Sequence, residues 1–183
     1  MLARKDIAVT VLEKATETDR NPRASFYSLP TIFELRRAGL MEDIMKTAFV
    51  PDGVAWRHLD GQEICSIYPP NPEGDETMIS LPLDKLLPIM TSHLARYISA
   101  KVLMGHEVVS IGQDNGHAWA NVATPDGEVI FEADYIAGCD GANSKIRREL
   151  FGSDFPGHTW DKQIVATNVR RILVTYRPHG AKP

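Results

Sequence analysis

Residues 134–148 constrain the fold most, because a strand, an acidic turn and a basic helix follow one another there without interruption. Tyr135 to Ala137 is a short apolar run typical of a covered strand, and Gly138 allows another part of the chain to come close. Asp140 and Gly141 form a turn signal in which the glycine can take a positive φ. The Asp140 carboxylate is then expected to be exposed as an acceptor for a sugar hydroxyl.

The helix predicted after this turn carries the features of an anion-binding helix end. Ser144 can cap it, and its open amide groups and partial positive charge favour a phosphate. An isolated Asp-Gly is more often a plain surface turn, with Arg147 and Arg148 solvated. The complete strand, turn and helix register favours instead a site for the sugars and phosphates of a dinucleotide.

A second strand ending in an acid lies near the amino end. Residues 7–12 are nearly continuous in apolar and β-favouring residues, which predicts a parallel strand covered on both faces. Glu13 ends it, where Rossmann-type domains place the acid that binds adenosine ribose hydroxyls. A solvated strand end is the alternative. No G-x-G-x-x-G precedes Glu13, so we expect the first strand, the phosphate turn and most of the first helix to have been cut away or to precede a late gene-model start.

The residues of the turn and helix resemble the Asp-Gly fingerprint of the aromatic-ring flavoprotein monooxygenases, the family of para-hydroxybenzoate and phenol hydroxylases. The resemblance implies that the turn lies against FAD, near its pyrophosphate and ribityl chain, and helps the nicotinamide cofactor to engage. The positions that match the fingerprint are Gly138, Asp140, Gly141, Ser144 and Arg147.

Two further positions look like parts of the same family. Arg23 resembles an arginine that reaches the flavin, although a lone loop arginine is usually solvated, and Val108 resembles a segment whose backbone lies against the adenine. The resemblance covers residues 2–169, and the later Gly-Asp motif and most of the substrate pocket are expected beyond it. Residues 170–183 are basic and match nothing.

The resemblance and the patterns together predict an α/β fold class of mixed α+β character. We expect an incomplete Rossmann-like FAD-binding domain with an antiparallel β-meander and part of a substrate-domain sheet. Residues 1–50 and 84–152 would form the partial FAD-binding domain, and residues 51–83 and 153–169 the partial substrate domain. Residues 170–183 would be an unmatched tail.

The middle of the chain contains two helix patterns. Residues 30–38 predict a helix with Pro30 in its first turn, a Thr31–Glu34 capping box and an end at Gly39. Residues 84–98 predict an amphipathic helix, with Pro88 near its start. Its core stripe would consist of Leu87, Met90, Leu94 and Ile98.

Strand patterns occupy most of the remaining sequence. Residues 54–68 predict a hairpin around Asp60-Gly61, whose Trp56 is one candidate to face an aromatic substrate, although a core or rim position is the commoner role. Strands are predicted at 101–104 and 107–113, followed by a meander in which Ala118, Ala120 and Val122 alternate inward.

Composition excludes several classes of protein. The chain has 183 residues, 43% of them hydrophobic, and a net charge of -4, which disfavours a nucleic acid or anionic membrane partner. No apolar run approaches the roughly 20 residues of a membrane span, so we expect a soluble cytoplasmic protein. Cys65 and Cys139 are expected to be reduced thiols, with Cys139 a small buried side chain rather than a nucleophile. The six histidines have no metal-site spacing.

The leading hypothesis is an FAD-dependent monooxygenase that hydroxylates a small phenol-like ring with NAD(P)H and O2. Glu13, Arg23, Val108, Asp140 and Gly141 would serve binding, and no catalytic acid or base is assigned. The alternatives are an inactive FAD-holding remnant and a nicotinamide-dependent dehydrogenase with a related Rossmann core. A chain that does not fold stably alone is a third, and a homo-oligomer is compatible with all of them.

Overall fold

The computed structural model describes residues 1–19, 21, 23–68 and 78–163, which form helices and several short sheets. None of the helices in these ranges is long and apolar enough to cross a membrane. The helices are α1 Leu29–Ala38, α2 Met41–Met45, α3 Leu83–Leu94 and α4 Lys145–Phe151. The strands are β1 Val9–Glu13, β2 Phe26–Tyr27, β3 Val54–Arg57, β4 Glu63–Ile67, β5 Ile79–Ser80, β6 Ala100–Met104, β7 Glu107–Gln113, β8 Ala118–Thr124 and β9 Gly127–Ala133.

The strands form one parallel pair and three antiparallel sheets. β1 pairs in parallel with β6, β2 with β5 and β3 with β4 in antiparallel pairs, and β7, β8 and β9 form a three-stranded meander. The predicted mixed fold class, hairpin and meander are therefore confirmed. In β8 the alternating Ala118, Ala120 and Val122 are buried, as their spacing predicted. The division of the chain into FAD-binding and substrate domains stays a prediction.

The expectation that β1 is covered on both faces is wrong. Val11 is 41% exposed and its partner Val102 is 36% exposed. Among the described residues β1 pairs only with β6, so its second edge has no neighbouring strand. A continuous apolar run indicates that a strand can be buried. Whether its faces are covered depends on elements elsewhere in the protein.

The main core lies between helices α1, α2 and α3 and the β2–β5 sheet. Ile44 of α2 is fully buried, and Leu81, which follows β5, is 1% exposed. The remaining buried members of this cluster are Tyr27, Ile32, Leu35, Leu40, Ile79 and Leu86. This core supports the β2–β5 sheet from one side and holds the three helices together.

Helix α1 differs from its predicted form only at its start. It begins at Leu29 with Pro30 in the first turn, and it ends at Gly39, whose φ is +79°, as predicted. The Thr31–Glu34 capping box is wrong, because the capping position is Ser28 and Thr31 lies inside the first turn. The Ser28 side chain makes no capping hydrogen bond.

Helix α3 is shorter than predicted, and a different side of it faces the core. It ends at Leu94, and Ile98, which was expected in the core stripe, is fully exposed. The core contacts come from Leu86, Leu83 and Ile89 rather than from the Leu87 and Met90 stripe. The chain turns after Leu94 because β6 begins only six residues later, and this turn takes Ile98 off the helix.

The predicted strand at residues 135–137 does not form. After β9 the chain at residues 135–137 belongs to no strand, and Tyr135 is 91% exposed. Cys139 is also exposed, so the expectation of a buried thiol is wrong. Both errors have one cause: no strand among the described residues lies beside this segment to pair with its backbone and cover its side chains.

Two neighbouring residues of α2 test the core. Ile44→Ala should lower the free energy of unfolding by about 2–5 kcal/mol, because it leaves a cavity at a fully buried position. Met45→Ala, at a position 46% exposed, should change it by less than about 1 kcal/mol. Urea unfolding followed by circular dichroism measures both, and equal effects would contradict the assigned core.

Candidate functional site

Glu13 lies at the carboxyl end of β1, where two loops are bonded to each other. Its backbone oxygen accepts a hydrogen bond of 2.9 Å from His106 N, and Ala15 O accepts one of 2.8 Å from Gly105 N. One carboxylate oxygen accepts from Ala15 N at 2.8 Å. The other, Oε2, has no hydrogen-bond partner among the described residues. Glu13 is exposed, so this oxygen is free to accept from a hydroxyl group.

Val108 lies next to this junction, at the second position of β7. It is half-buried, and β7 begins one residue after His106, whose amide is bonded to Glu13. A β-bulge follows between Val108 and Ser110. The structure therefore brings Glu13 and Val108 together, because the turn after β6 is bonded to the end of β1.

Asp140 caps the helix that follows it. Its Oδ1 accepts from the Ser144 hydroxyl at 2.5 Å, and its Oδ2 accepts from the amides of Lys145 at 2.6 Å and Ile146 at 3.2 Å. The Ser144 bond, helped by the amide bonds, holds the pKa of the Asp140 carboxyl below its usual value. Asp140 is exposed as expected, and Oδ1 keeps a second lone pair for an outside donor.

The expectation of open amide groups at the start of α4 is wrong. Besides the two amides bonded to Asp140, Arg147 N donates to Ser144 Oγ at 2.9 Å. Ser144 is thus the helix cap, as predicted, but the cap and Asp140 together satisfy the amides that a phosphate would have used. The D-G-x-x-S spacing indicates this arrangement, because a short acidic side chain before a capping serine can reach the first amides of the helix.

Glycine suits the two positions Gly138 and Gly141 for different structural reasons. Gly141 has φ of +79°, the left-handed conformation predicted for it. Gly138 lies against α4, and a Cβ built there would come within 2.8 Å of Ile146 Cβ. The predicted close approach at Gly138 is therefore to a helix side chain, and it fixes the turn against α4.

Arg147 is held in place by contacts within the same region. Its Nη1 donates to Ala142 O at 2.8 Å, and its guanidinium lies 4.8 Å from the centre of the Phe155 ring. The remaining N–H groups of this side chain can still face an anion. The contact of Arg147 with Phe155 could not be predicted, because residues eight apart across a helix end have no local sequence pattern.

Arg23 forms a local ion pair with Asp19. Its Nε and Nη2 both donate to Asp19 Oδ2, at 2.9 and 2.7 Å. The Arg23 side chain is exposed and that of Asp19 is half-buried, and the pair lies in the loop that precedes β2. The spacing of four residues between an acid and an arginine could have indicated this pair. The role of Arg23 at a flavin stays a prediction.

β7 connects the two parts of the site, because it contacts both β1 and α4. Glu13 lies at the end of β1 and Val108 in β7 itself, whereas Asp140, Gly141 and Ser144 lie at the start of α4 and Arg147 lies within it. The free oxygen of Glu13 and the spare lone pair of Asp140 are acceptors for sugar hydroxyls, and Arg147 supplies the positive charge. These acceptors and this positive charge have the chemistry to bind the hydroxyls and a phosphate of a dinucleotide such as FAD.

Comparison with known proteins gives the same type of ligand. The model of the FAD binding domain family matches residues 1–180, which extends past residue 169, the expected end of the resemblance. The chain is 32% identical over 171 residues to para-nitrophenol 4-monooxygenase of Pseudomonas sp. strain WBC-3, covering 92% of this chain and 42% of that protein. It is also 32% identical over 174 residues to 6-hydroxy-3-succinoylpyridine 3-monooxygenase of Pseudomonas putida, covering 92% and 44%.

A solved structure shares the fold. The crystal structure of p-nitrophenol 4-monooxygenase PnpA from Pseudomonas putida DLL-E4 superposes with a TM-score of 0.81 at 30% identity. The match covers 87% of this chain and 41% of the other. The chain therefore spans less than half the length of these relatives.

The contact at Gly138 gives a prediction about stability. Gly138→Ala should lower the free energy of unfolding by about 1–3 kcal/mol, because the new methyl group overlaps Ile146. Gly116→Ala is the control, since the nearest atom to its built Cβ is the Asp114 carboxylate at 3.9 Å. Thermal unfolding measures both, and a wild-type stability for Gly138→Ala would contradict the close packing of the turn on α4.

The lowered pKa of Asp140 gives a pH dependence. Its folded-state pKa lies below the unfolded value of about 3.9, so its stabilising effect is present above that pH and is lost as the pH falls through the folded pKa. Asp140→Asn should therefore be less stable than wild type at pH 7, and the difference should shrink below about pH 4.

The measurement is the urea midpoint of both proteins from pH 7 to pH 3. Asp134→Asn is the matched control, because the Asp134 carboxylate makes no hydrogen bond to a described residue. A difference for Asp140→Asn that stays constant across this range would contradict the charged cap.

Proposed function

The chain belongs to the FAD binding domain family of flavin-dependent aromatic monooxygenases, and from that membership we propose that it holds FAD while a phenol-like ring is hydroxylated with NAD(P)H and O2. We place the protein in the cytoplasm. The activity and substrate belong to the proposal, since the chain spans less than half of its relatives.

One observation carries the proposal. The free carboxylate oxygen of Glu13 lies at the end of β1, and the carboxylate of Asp140 accepts hydrogen bonds from the first amides of α4; β1 and α4 both contact β7. One strand can thus hold two acceptor groups in a fixed relation, as a ligand with two separate sets of hydroxyls requires. In FAD those sets are the adenosine ribose and the ribityl chain.

Several residues of this chain have a binding role in the proposal. Glu13 Oε2 accepts hydrogen bonds from the ribose hydroxyls, and the backbone of Val108 lies against the adenine. Asp140 Oδ1 accepts from a ribityl hydroxyl, while Ser144 orients its carboxylate and Gly141 provides the turn. Arg147 faces the pyrophosphate.

The electrostatics of the turn suit this role. Because the hydrogen bonds of Asp140 keep its carboxyl ionised well into the acid range, it acts as an acceptor and does not donate a proton at neutral pH. Arg147 is held by Ala142 and Phe155, so it loses little side-chain freedom when an anion binds. We assign Arg23, in its loop before β2, to the same cofactor.

FAD, when bound, would supply the redox chemistry, taking a hydride from NAD(P)H and using O2 to hydroxylate the ring. The residues of the chain supply binding and orientation, and none of them is assigned proton transfer. The names of the two relatives point to an aromatic ring bearing a hydroxyl group, and we extend that substrate class to this chain.

Glu13 provides the test. Glu13→Ala should weaken FAD binding by about tenfold or more, because it removes a charged acceptor of sugar hydroxyls. Glu128→Ala, at an exposed position near the start of β9, should bind FAD as the wild type does. Titration of the protein with FAD, followed by flavin fluorescence, measures both affinities.

That FAD titration, together with a titration with NADH and an assay of NAD(P)H oxidation, separates the competing functions. A wild-type chain that binds NADH but has no affinity for FAD would contradict the proposal and favour a dehydrogenase. A chain that binds FAD but shows no NAD(P)H oxidation would favour a cofactor-holding remnant. Equal FAD affinity for Glu13→Ala and Glu128→Ala would contradict the assigned site.

A further inference from the structure

We propose that Asn115, in the turn between β7 and β8, is a site of spontaneous deamidation, and that the negative charge of Asp114 slows the reaction. The inference concerns a covalent modification of the chain and does not depend on the proposed function. Asn115 is followed by Gly116, and this is the only Asn-Gly pair in the sequence. A following glycine favours deamidation, because the residue that supplies the attacking amide has no side chain in the way.

The turn at residues 114–117 holds Asn115 on the surface. A hydrogen bond of 2.9 Å from Asp114 N to His117 O closes the turn. All of its residues are exposed, so water reaches the Asn115 side chain. That side chain makes no hydrogen bond to a described residue, and it is therefore free to rotate towards the backbone.

The reaction needs only the turn and water. Gly116 N loses its proton and attacks Asn115 Cγ, and the new C–N bond closes a cyclic imide. The side-chain nitrogen of Asn115 leaves as ammonia, taking up the proton that Gly116 N has lost. Water then opens the imide at one of its two carbonyl carbons, which gives either aspartate or isoaspartate. The net change is the uptake of water and the release of ammonia, with no oxidation or reduction.

The backbone around Gly116 leaves room for the imide ring. A Cβ built on Gly116 would have the Asp114 carboxylate, at 3.9 Å, as its only neighbour within 4 Å. Asn143 is the useful contrast, because Ser144 follows it and is only 8% exposed. Ser144 N donates to Gly141 O at 3.1 Å, so the amide next to Asn143 is held inside the structure. The two asparagines therefore differ in access to the attacking amide.

Asp114 binds the amide that must attack. Its Oδ1 accepts from Gly116 N at 2.8 Å and from His117 N at 2.9 Å. These two bonds hold the pKa of the Asp114 carboxyl below its usual value, so it is ionised at neutral pH. A carboxylate beside Gly116 N opposes the loss of its proton, because the amide anion would lie next to a second negative charge. His117 is the other titratable group facing Asp114, with its Nδ1 4.0 Å from Oδ1.

Deamidation would change the end of a strand that matters for the candidate site. Either product adds a negative charge to the turn, and isoaspartate also lengthens its backbone. The pairing of Gln113 with Ala118, which adjoins the turn, would have to adjust to the longer connection. Because β7 contacts both β1 and α4, the turn is attached to the strand that relates the two parts of that site.

The experiment follows deamidation of the purified full chain at mildly alkaline pH, where histidines are neutral. Peptide mapping by mass spectrometry measures the conversion of Asn115 to aspartate and isoaspartate over time. Gly116→Ala should slow this conversion several-fold, because the new methyl group hinders the attack. Asn143 is the internal control in the same digest and should convert more slowly than Asn115.

Two variants of Asp114 separate its charge from its hydrogen bonds. Asp114→Asn keeps an oxygen that can accept from the same amides, whereas Asp114→Ala removes it. We expect both variants to deamidate at Asn115 at least about fivefold faster than wild type, the factor by which two unit charges about 4 Å apart in water shift an equilibrium. Circular dichroism shows that each variant is folded.

The absence of conversion at Asn115 in both wild type and Asp114→Asn would overturn the proposed site, and so would conversion of Asn143 at an equal rate. Equal rates for Gly116→Ala and wild type would contradict attack by Gly116 N. A wild-type rate for Asp114→Asn would overturn the role of the charge, whether or not Asp114→Ala folds. If Asp114→Ala alone is faster, the hydrogen-bonded turn and not the charge protects Asn115.

Discussion

The candidate site depends on two backbone hydrogen bonds that join the ends of parallel strands β1 and β6. Gly105 N donates to Ala15 O and His106 N donates to Glu13 O, immediately before β7 begins. They fix the exposed carboxylate of Glu13 beside the start of β7, and β7 in turn contacts α4, whose first amides are bonded to Asp140. A single strand therefore relates two acceptor groups that are more than 120 residues apart in the sequence. Without these bonds the end of β1 would be a solvated acid with no fixed relation to the Asp-Gly turn.

The local features of this site could be predicted from the sequence, whereas its coverage could not. The positive φ of Gly141, the Ser144 cap and the alternation in β8 all follow from short patterns, because the groups involved lie within a few residues of one another. The predictions of a strand at residues 135–137 and of buried faces on β1 were wrong. Burial requires a neighbouring strand, and no local pattern shows whether one is present. The predicted core stripe of α3 was wrong for a related reason, since packing against α2 and the β2–β5 sheet decides which side of the helix faces inward.

The Asp-Gly turn shows how one residue serves both structure and binding. Asp140 satisfies two amides and a hydroxyl at the start of α4, so its carboxylate is oriented before any ligand arrives. The same bonds remove the amides from phosphate binding, which leaves the positive charge of Arg147 to face an anion.

Hydrogen–deuterium exchange of the backbone amides with and without FAD tests the central claim most directly. If β7 holds the two acceptor groups in one cofactor site, FAD should slow exchange both at residues 105–108 and at residues 138–147. Slowing in only one of these segments, or in neither at saturating FAD, would contradict a shared site and separate Glu13 from the Asp-Gly turn.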